Sequence, residues 1–194
     1  MDSAWDGSVQ GLRGNGWRTL ALEVAVSCGV AVALVIWAGS VDVAPLDRVG
    51  QVSALASLQL AFVVVAVAAV STVFIGRNVV QMRGLAPGLA AALLAGGASG
   101  IVAAGVRIGL RGTHWGLFAN KGDVGQIAAW AQNILDGVGI DFTYPPGFLW
   151  ALAGLSAAMG EPPGYAIKTL SILCTALIGP IGYLSWRLVF RPWM

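Results

Sequence analysis

The 194 residues are 57% hydrophobic and only 10% charged, against roughly 25% charged residues in a soluble globular domain. With a mean hydropathy of +0.79, this is the composition of an integral membrane protein, and it excludes a disordered chain, a nucleic-acid binder and a secreted disulfide scaffold. The net charge of +2 selects no partner.

Residues 1–18, mixed in charge and rich in glycine up to Gly16, read as a disordered cytoplasmic tail ahead of a membrane domain over 19–191. A hydrocarbon core of about 30 Å needs about 20 apolar residues per helix. Stretches 20–38, 54–75 and 85–106 meet that length, and 167–188 makes a fourth span. Lys168 and Arg187 stand at the ends of this last span, where long basic side chains reach the interface, and Pro180 lies inside it as a kink. The first span is too long for a signal-peptide core and is read as retained. Glu23, one turn into it, is close enough to the surface to be hydrated. Cys28 and Cys174 fall within spans as packing residues, with no spacing that supports a bridge. Glycine, 27 of 194 residues, is about twice its usual ~7% share. Gly96 and Gly100 form a small-xxx-small packing face in the third span.

The apolar run 147–159 is too short to cross and suits a re-entrant helix. Orientation supports that reading. Arg13 and Arg18 precede the first span and Arg77 and Arg83 lie in the second connection, whereas the first connection carries Asp42, Asp47 and one Arg48. The positive-inside rule then puts the N-terminus in the cytoplasm, and four crossings, not five, return Arg187 and Arg191 to it. The expected fold is therefore all-α and polytopic, with four transmembrane helices and an external segment over 107–166.

That segment is where chemistry would sit. Ile127, Trp130, Ala131 and Ile134 follow i, i+3, i+4, i+7, which predicts an amphipathic surface helix over 124–136. Asp123 is expected at its N-cap, with Gln126 three residues on, and Gly137 at its end. Asp123 reads either as a cap or as a general base for an acceptor hydroxyl. Tyr144-Pro-Pro-Gly-Phe148 forces a turn toward the bilayer. Tyr144, Phe148 and Trp150 suit an interfacial aromatic belt or a wall against a sugar. Arg107, Arg111, His114 and Lys121 gather positive charge outside the membrane, against the positive-inside rule. They either anchor ordinary headgroups or hold a donor phosphate. One histidine and scattered loop aspartates offer no metal-ligand spacing, and no cofactor is implied.

Thr113-His-Trp-Gly-Leu-Phe118 followed by Asp123, then Tyr144-Pro-Pro-Gly-Phe148-Leu-Trp150, then Tyr165-Ala-Ile-Lys168, resemble the GT-C glycosyltransferases, which use polyprenyl-phosphate sugars. Within that class the chain is most similar to the N-terminal membrane region of the actinobacterial galactan arabinofuranosyltransferases. The resemblance covers roughly 85–191 and implies transfer of arabinofuranose from a polyprenyl-phosphate donor to cell-wall galactan at the external face of the cell membrane. Asp123 would be the base. Arg107, Arg111, His114 and Lys121 would serve the donor phosphate, and Tyr144, Phe148 and Trp150 would line the lipid or sugar groove. The family continues into further spans and an external carbohydrate-binding domain, so partner membrane segments or subunits are expected. Alternatives are a mannosyl or other hexosyl GT-C enzyme, and a non-catalytic or truncated subunit that binds lipid or a partner.

Overall fold

The computed structural model describes residues 4–42, 48–79, 84–111, 122–139 and 145–189, with side chains described from residue 16 in the first stretch and from residue 53 in the second. These residues form an all-α chain of α1 (Ala4–Ser40), α2 (Arg48–Asn78), α3 (Ala86–Gly109), α4 (Asp123–Leu135), α5 (Pro146–Met159) and α6 (Pro163–Val189). Four segments are long and apolar enough to cross a membrane: Gly16–Ser40, Ser53–Asn78, Ala86–Gly109 and Pro163–Val189. This is a multi-pass membrane protein. The 14 residues of α5 rise about 21 Å at ~1.5 Å each, short of the hydrocarbon core. Helix α1 starts at Ala4, so the glycine-rich beginning of the chain continues the first span's helix and is not an unstructured tail.

Two compact units divide the chain, Met1–Ile108 with Thr175–Met194, and Gly109–Cys174. In the first, α3 is the helix the others pack on: 44% of its most apolar window is buried, against 17% to 28% in the other spans. A Cβ at Gly96 would overlap the Ser27 carbonyl, and one at Gly100 would lie 2.8 Å from the Ala31 Cα, so α1 lies against α3 in a parallel register. Gly97 faces Val65, while Gly105 faces Leu58 and Leu55, which makes α2 antiparallel. Gly179 of α6 packs on the Ala95 carbonyl and the Ser99 hydroxyl, so α6 also runs antiparallel to α3. Hydrocarbon offers helices no hydrophobic drive to associate, and close backbone approach through small residues replaces it. The Gly96/Gly100 packing face expected from sequence is present.

This register has a topological consequence. Because α3 and α6 are antiparallel neighbours, the chain leaves α3 and enters α6 on the same side of the membrane. Four helices long and apolar enough to cross a membrane are present among the described residues, and α5 is a shorter apolar helix.

Pro180 lies buried within α6. Having no N–H, it frees the carbonyl of Ala176 four residues earlier, which hydrocarbon cannot satisfy. The Ser99 hydroxyl donates to that carbonyl at 2.8 Å. A second apolar cluster at the other end of the bundle joins Ala38, Ala54, Ala104 and Ile108. Cys28 is half-buried, but Cys174 is exposed and so is not the packing residue its span suggested. Much of α2, including Phe62, Val67, Val70 and Phe74, is more than half exposed, as a lipid-facing surface requires.

Candidate functional site

The unit Gly109–Cys174 contains Asp123, Arg111, Phe148 and Trp150. His114, Lys121 and Tyr144 lie outside the described residues. Helix α4 forms because its apolar residues fall on one stripe. Val124, Ile127, Ala128, Ala131 and Ile134 pack with Leu152 and Ala153 of α5 and with Ala166, Ile167 and Leu170 of α6. Gln126 and Gln132 face outward, so the sequence stripe is largely as expected. Helix α4 ends where Gly137 takes a left-handed φ of 72°. Its N–H bonds the Ile134 carbonyl at 3.2 Å and the Val138 N–H bonds that of Asn133 at 2.9 Å, the paired closure a helix-ending glycine permits.

The beginning of α4 differs from expectation. Gly122, not Asp123, is the N-cap, at φ 95°, and no side chain caps the helix. The chain enters α4 through a backbone conformation that favours glycine, which moves the start by one residue. The expected capping box is therefore not formed. Asp123 is the first helical residue, and its carboxylate is exposed. There it complements the positive end of the helix without spending its oxygens on capping.

Helix α5 opens with Pro146 in its first turn, where the missing N–H costs nothing. It closes at Gly160, φ 66°, with the Ser156 hydroxyl donating to the Glu161 carbonyl. Leu149, Leu152, Ala153 and Ser156 turn inward, whereas Phe148 is 39% and Trp150 62% exposed. The two aromatic residues thus lie off the face that packs against α4 and α6.

Of the expected cations, Arg107 and Arg111 are described. Arg107 belongs to the first unit and donates from Nη1 to the Val35 carbonyl of α1 at 2.7 Å. Its guanidinium sits so close to Gly39 that a Cβ there would be 2.5 Å from Nη2. Arg107 thus ties the last turn of α3 to α1 near its end. Arg111 is half-buried in the turn after α3. In the same unit the Lys168 ammonium donates to the Leu110 carbonyl, the oxygen of the peptide that leads into Arg111.

A polar cluster that sequence reasoning passed over lies in the first unit. Glu23 is 1% exposed and is not hydrated as expected. Its carboxylate accepts from Arg187 Nε at 3.0 Å and Nη2 at 3.1 Å, and from the Tyr183 hydroxyl at 2.8 Å. The Tyr183 hydroxyl also lies 3.1 Å from the Gly88 carbonyl. A Cβ at Gly88 would overlap the Glu23 carboxylate, so glycine on α3 makes room for it. The signal that could have found this cluster is depth: Glu23 and Arg187 carry opposite charges about one turn inside two spans whose near ends share a membrane side. Among the described residues, the Ser27 hydroxyl, one turn beyond Glu23, is buried without a hydrogen-bond partner.

Among the described residues no three His, Cys, Asp or Glu side chains are grouped to hold a metal ion. Comparison with family models, curated proteins and solved structures finds no match to this chain.

Proposed function

We propose that this chain is the N-terminal membrane module of a GT-C-type glycosyltransferase, acting on a polyprenyl-phosphate sugar at the external face of the cell membrane with its N-terminus in the cytoplasm. The observation that supports this reading most is at Asp123. Its carboxylate is exposed on a short helix that packs on α5, and with Gly122 as the N-cap it is not used in capping. A carboxylate so placed suits a general base.

In the reaction so read, Asp123 takes the proton of the acceptor hydroxyl as that oxygen attacks the anomeric carbon from the face opposite the phosphate. The bond from the anomeric carbon to the phosphate oxygen breaks, and the polyprenyl phosphate leaves with the electron pair. Arg111, with His114 and Lys121 of the connecting segment, stabilises the growing phosphate charge. Phe148 and Trp150 meet the isoprenoid chain, with Tyr144, which precedes them in the sequence. The similarity of the Thr113 to Phe118 stretch favours arabinofuranose as the sugar and galactan as the acceptor over a mannosyl donor. Further membrane segments or subunits complete the acceptor site.

The test is Asp123→Asn in proteoliposomes holding the transferase-competent assembly. Asp123 is not the cap, so the change removes only a charge near the helix terminus, about 0.3 to 1 kcal/mol, and the melting temperature should barely move. Transfer should fall by about 10²-fold or more. Unchanged transfer would remove Asp123 as base.

A further inference from the structure

What α6 holds on to changes along its length. Its beginning, through Ala166, Ile167 and Leu170, packs into one apolar cluster with α4 and α5. Its end is fastened to α1, where Tyr183 and Arg187 donate to the Glu23 carboxylate. The boundary between the two compact units falls inside this helix, between Cys174 and Thr175. The residue after Thr175 is Ala176, whose carbonyl Pro180 leaves without its helical donor. The ladder of α6 is thus broken where the helix passes from one set of partners to the other.

The Ser99 hydroxyl serves that carbonyl at 2.8 Å, but the carbonyls of Ala95 and Gly96 lie 3.2 and 3.4 Å from the same oxygen. A hydroxyl has one proton to donate. It can bridge to α6 or fold back onto its own helix, and in neither position is it left unpaired in hydrocarbon. The Ala176 carbonyl has a second donor within reach as well: a local tightening of the ladder brings the Gly179 N–H to it, an i→i+3 adjustment of the kind by which membrane helices accommodate proline. Two arrangements therefore each satisfy these polar groups. Glycines flank the joint. Gly179 sits directly on the Ala95 carbonyl of α3, and nothing lies within 4 Å of where a Cβ of Gly182 would be, so no neighbour packs on that side.

We propose that α6 hinges at Ala176–Pro180 and that Ser99 is its latch, with the hydroxyl on Ala176 in one arrangement and on Ala95 in the other. The half of α6 ahead of the joint moves with α4 and α5, and the half beyond it stays with α1 and α3. This goes beyond the transferase reading and does not depend on it.

The experiment measures distances between pairs of spin labels on the full chain in phosphatidylcholine nanodiscs, in a Cys28→Ala/Cys174→Ala background. One pair, Phe62→Cys with Tyr165→Cys, joins α2 to the beginning of α6. The other, Phe62→Cys with Leu188→Cys, joins α2 to its end. All three positions are exposed, so the labels leave the packing in place. With Ser99 and Pro180 intact, the first pair should give a main and a minor distance. Ser99→Ala should raise the minor population relative to the main one by about three- to twentyfold, the range for one polar contact between membrane helices. Pro180→Ala, which returns an N–H to the Ala176 carbonyl, should leave a single narrow distance with or without Ser99. The second pair should keep one distance in all of these variants. A single distance for the first pair that neither substitution alters would overturn the proposal. Equal changes in both pairs would overturn it too, since they would mean a loosened bundle and not a hinge.

Discussion

Removing either partner of the Glu23–Arg187 pair should destabilise the bundle, and by unequal amounts. Glu23 is 1% exposed and Arg187 24%, so their freedom to recover differs. In Glu23→Gln, Arg187 loses its counter-ion but can turn its guanidinium toward water at the end of α6. In Arg187→Gln, a carboxylate sealed between helices keeps Tyr183 but loses its counter-ion. Breaking a buried pair costs about 3 to 5 kcal/mol, whereas polar contacts between membrane helices average about 0.6 kcal/mol and reach about 1.7. Between these bounds, Glu23→Gln should cost about 2 kcal/mol and Arg187→Gln about 3. Unfolding in mixed micelles of rising SDS content, run as a double-mutant cycle, should give a coupling of about 1 to 2 kcal/mol. Coupling under about 0.5 kcal/mol, or a cheaper Arg187→Gln, would refute the view that this pair fastens α6 to α1.

Ser99→Ala should destabilise by about 0.6 to 1.7 kcal/mol, and most of that should vanish in a Pro180→Ala background, where the Ala176 carbonyl regains a helical partner; the same unfolding series reads both. Gly96→Val should cost about 3 kcal/mol or more, because the Ser27 backbone has to retreat, seen as a lower melting temperature with the four spans retained. Arg107→Ala should lower stability by about 1.5 to 3 kcal/mol, the range for a hydrogen bond to a charged group, while leaving lipid-phosphate binding intact. Single cysteines at positions 120 and 143 should react with an impermeant maleimide from outside and those at 80 and 192 should not; outside labelling at 192 would mean that α5 crosses.

The fold was legible where the information is local. Span lengths, the 3.6-residue stripe of α4, the turn at Gly137 and the Gly96/Gly100 face all reside in a few neighbouring residues, and each is present. The start of α4 missed by one residue because a capping preference at Asp123 is weaker than the backbone's need for positive φ at Gly122. What stayed hidden was pairing across the chain. Glu23 and Arg187 are 164 residues apart, and Arg107 finds Val35 across 72. Hydropathy treats each such charge as an interfacial residue near a span end, so the contacts that Glu23 and Arg107 make across the chain are not visible in it. That Asp123 does not cap α4 was hidden in the sequence, because it depends on the backbone at Gly122.

Transfer of sugar by the wild-type protein is the most direct measurement. Proteoliposomes carrying the transferase-competent assembly would receive decaprenyl-phosphoryl arabinofuranose or a mannosyl counterpart, with a galactan oligosaccharide outside. The account predicts labelled arabinofuranose on the galactan with inverted anomeric configuration, one decaprenyl phosphate released per transfer, and no product from the mannosyl donor. Lipid-phosphate binding without transfer from either donor would contradict it and make the chain a non-catalytic lipid-binding subunit.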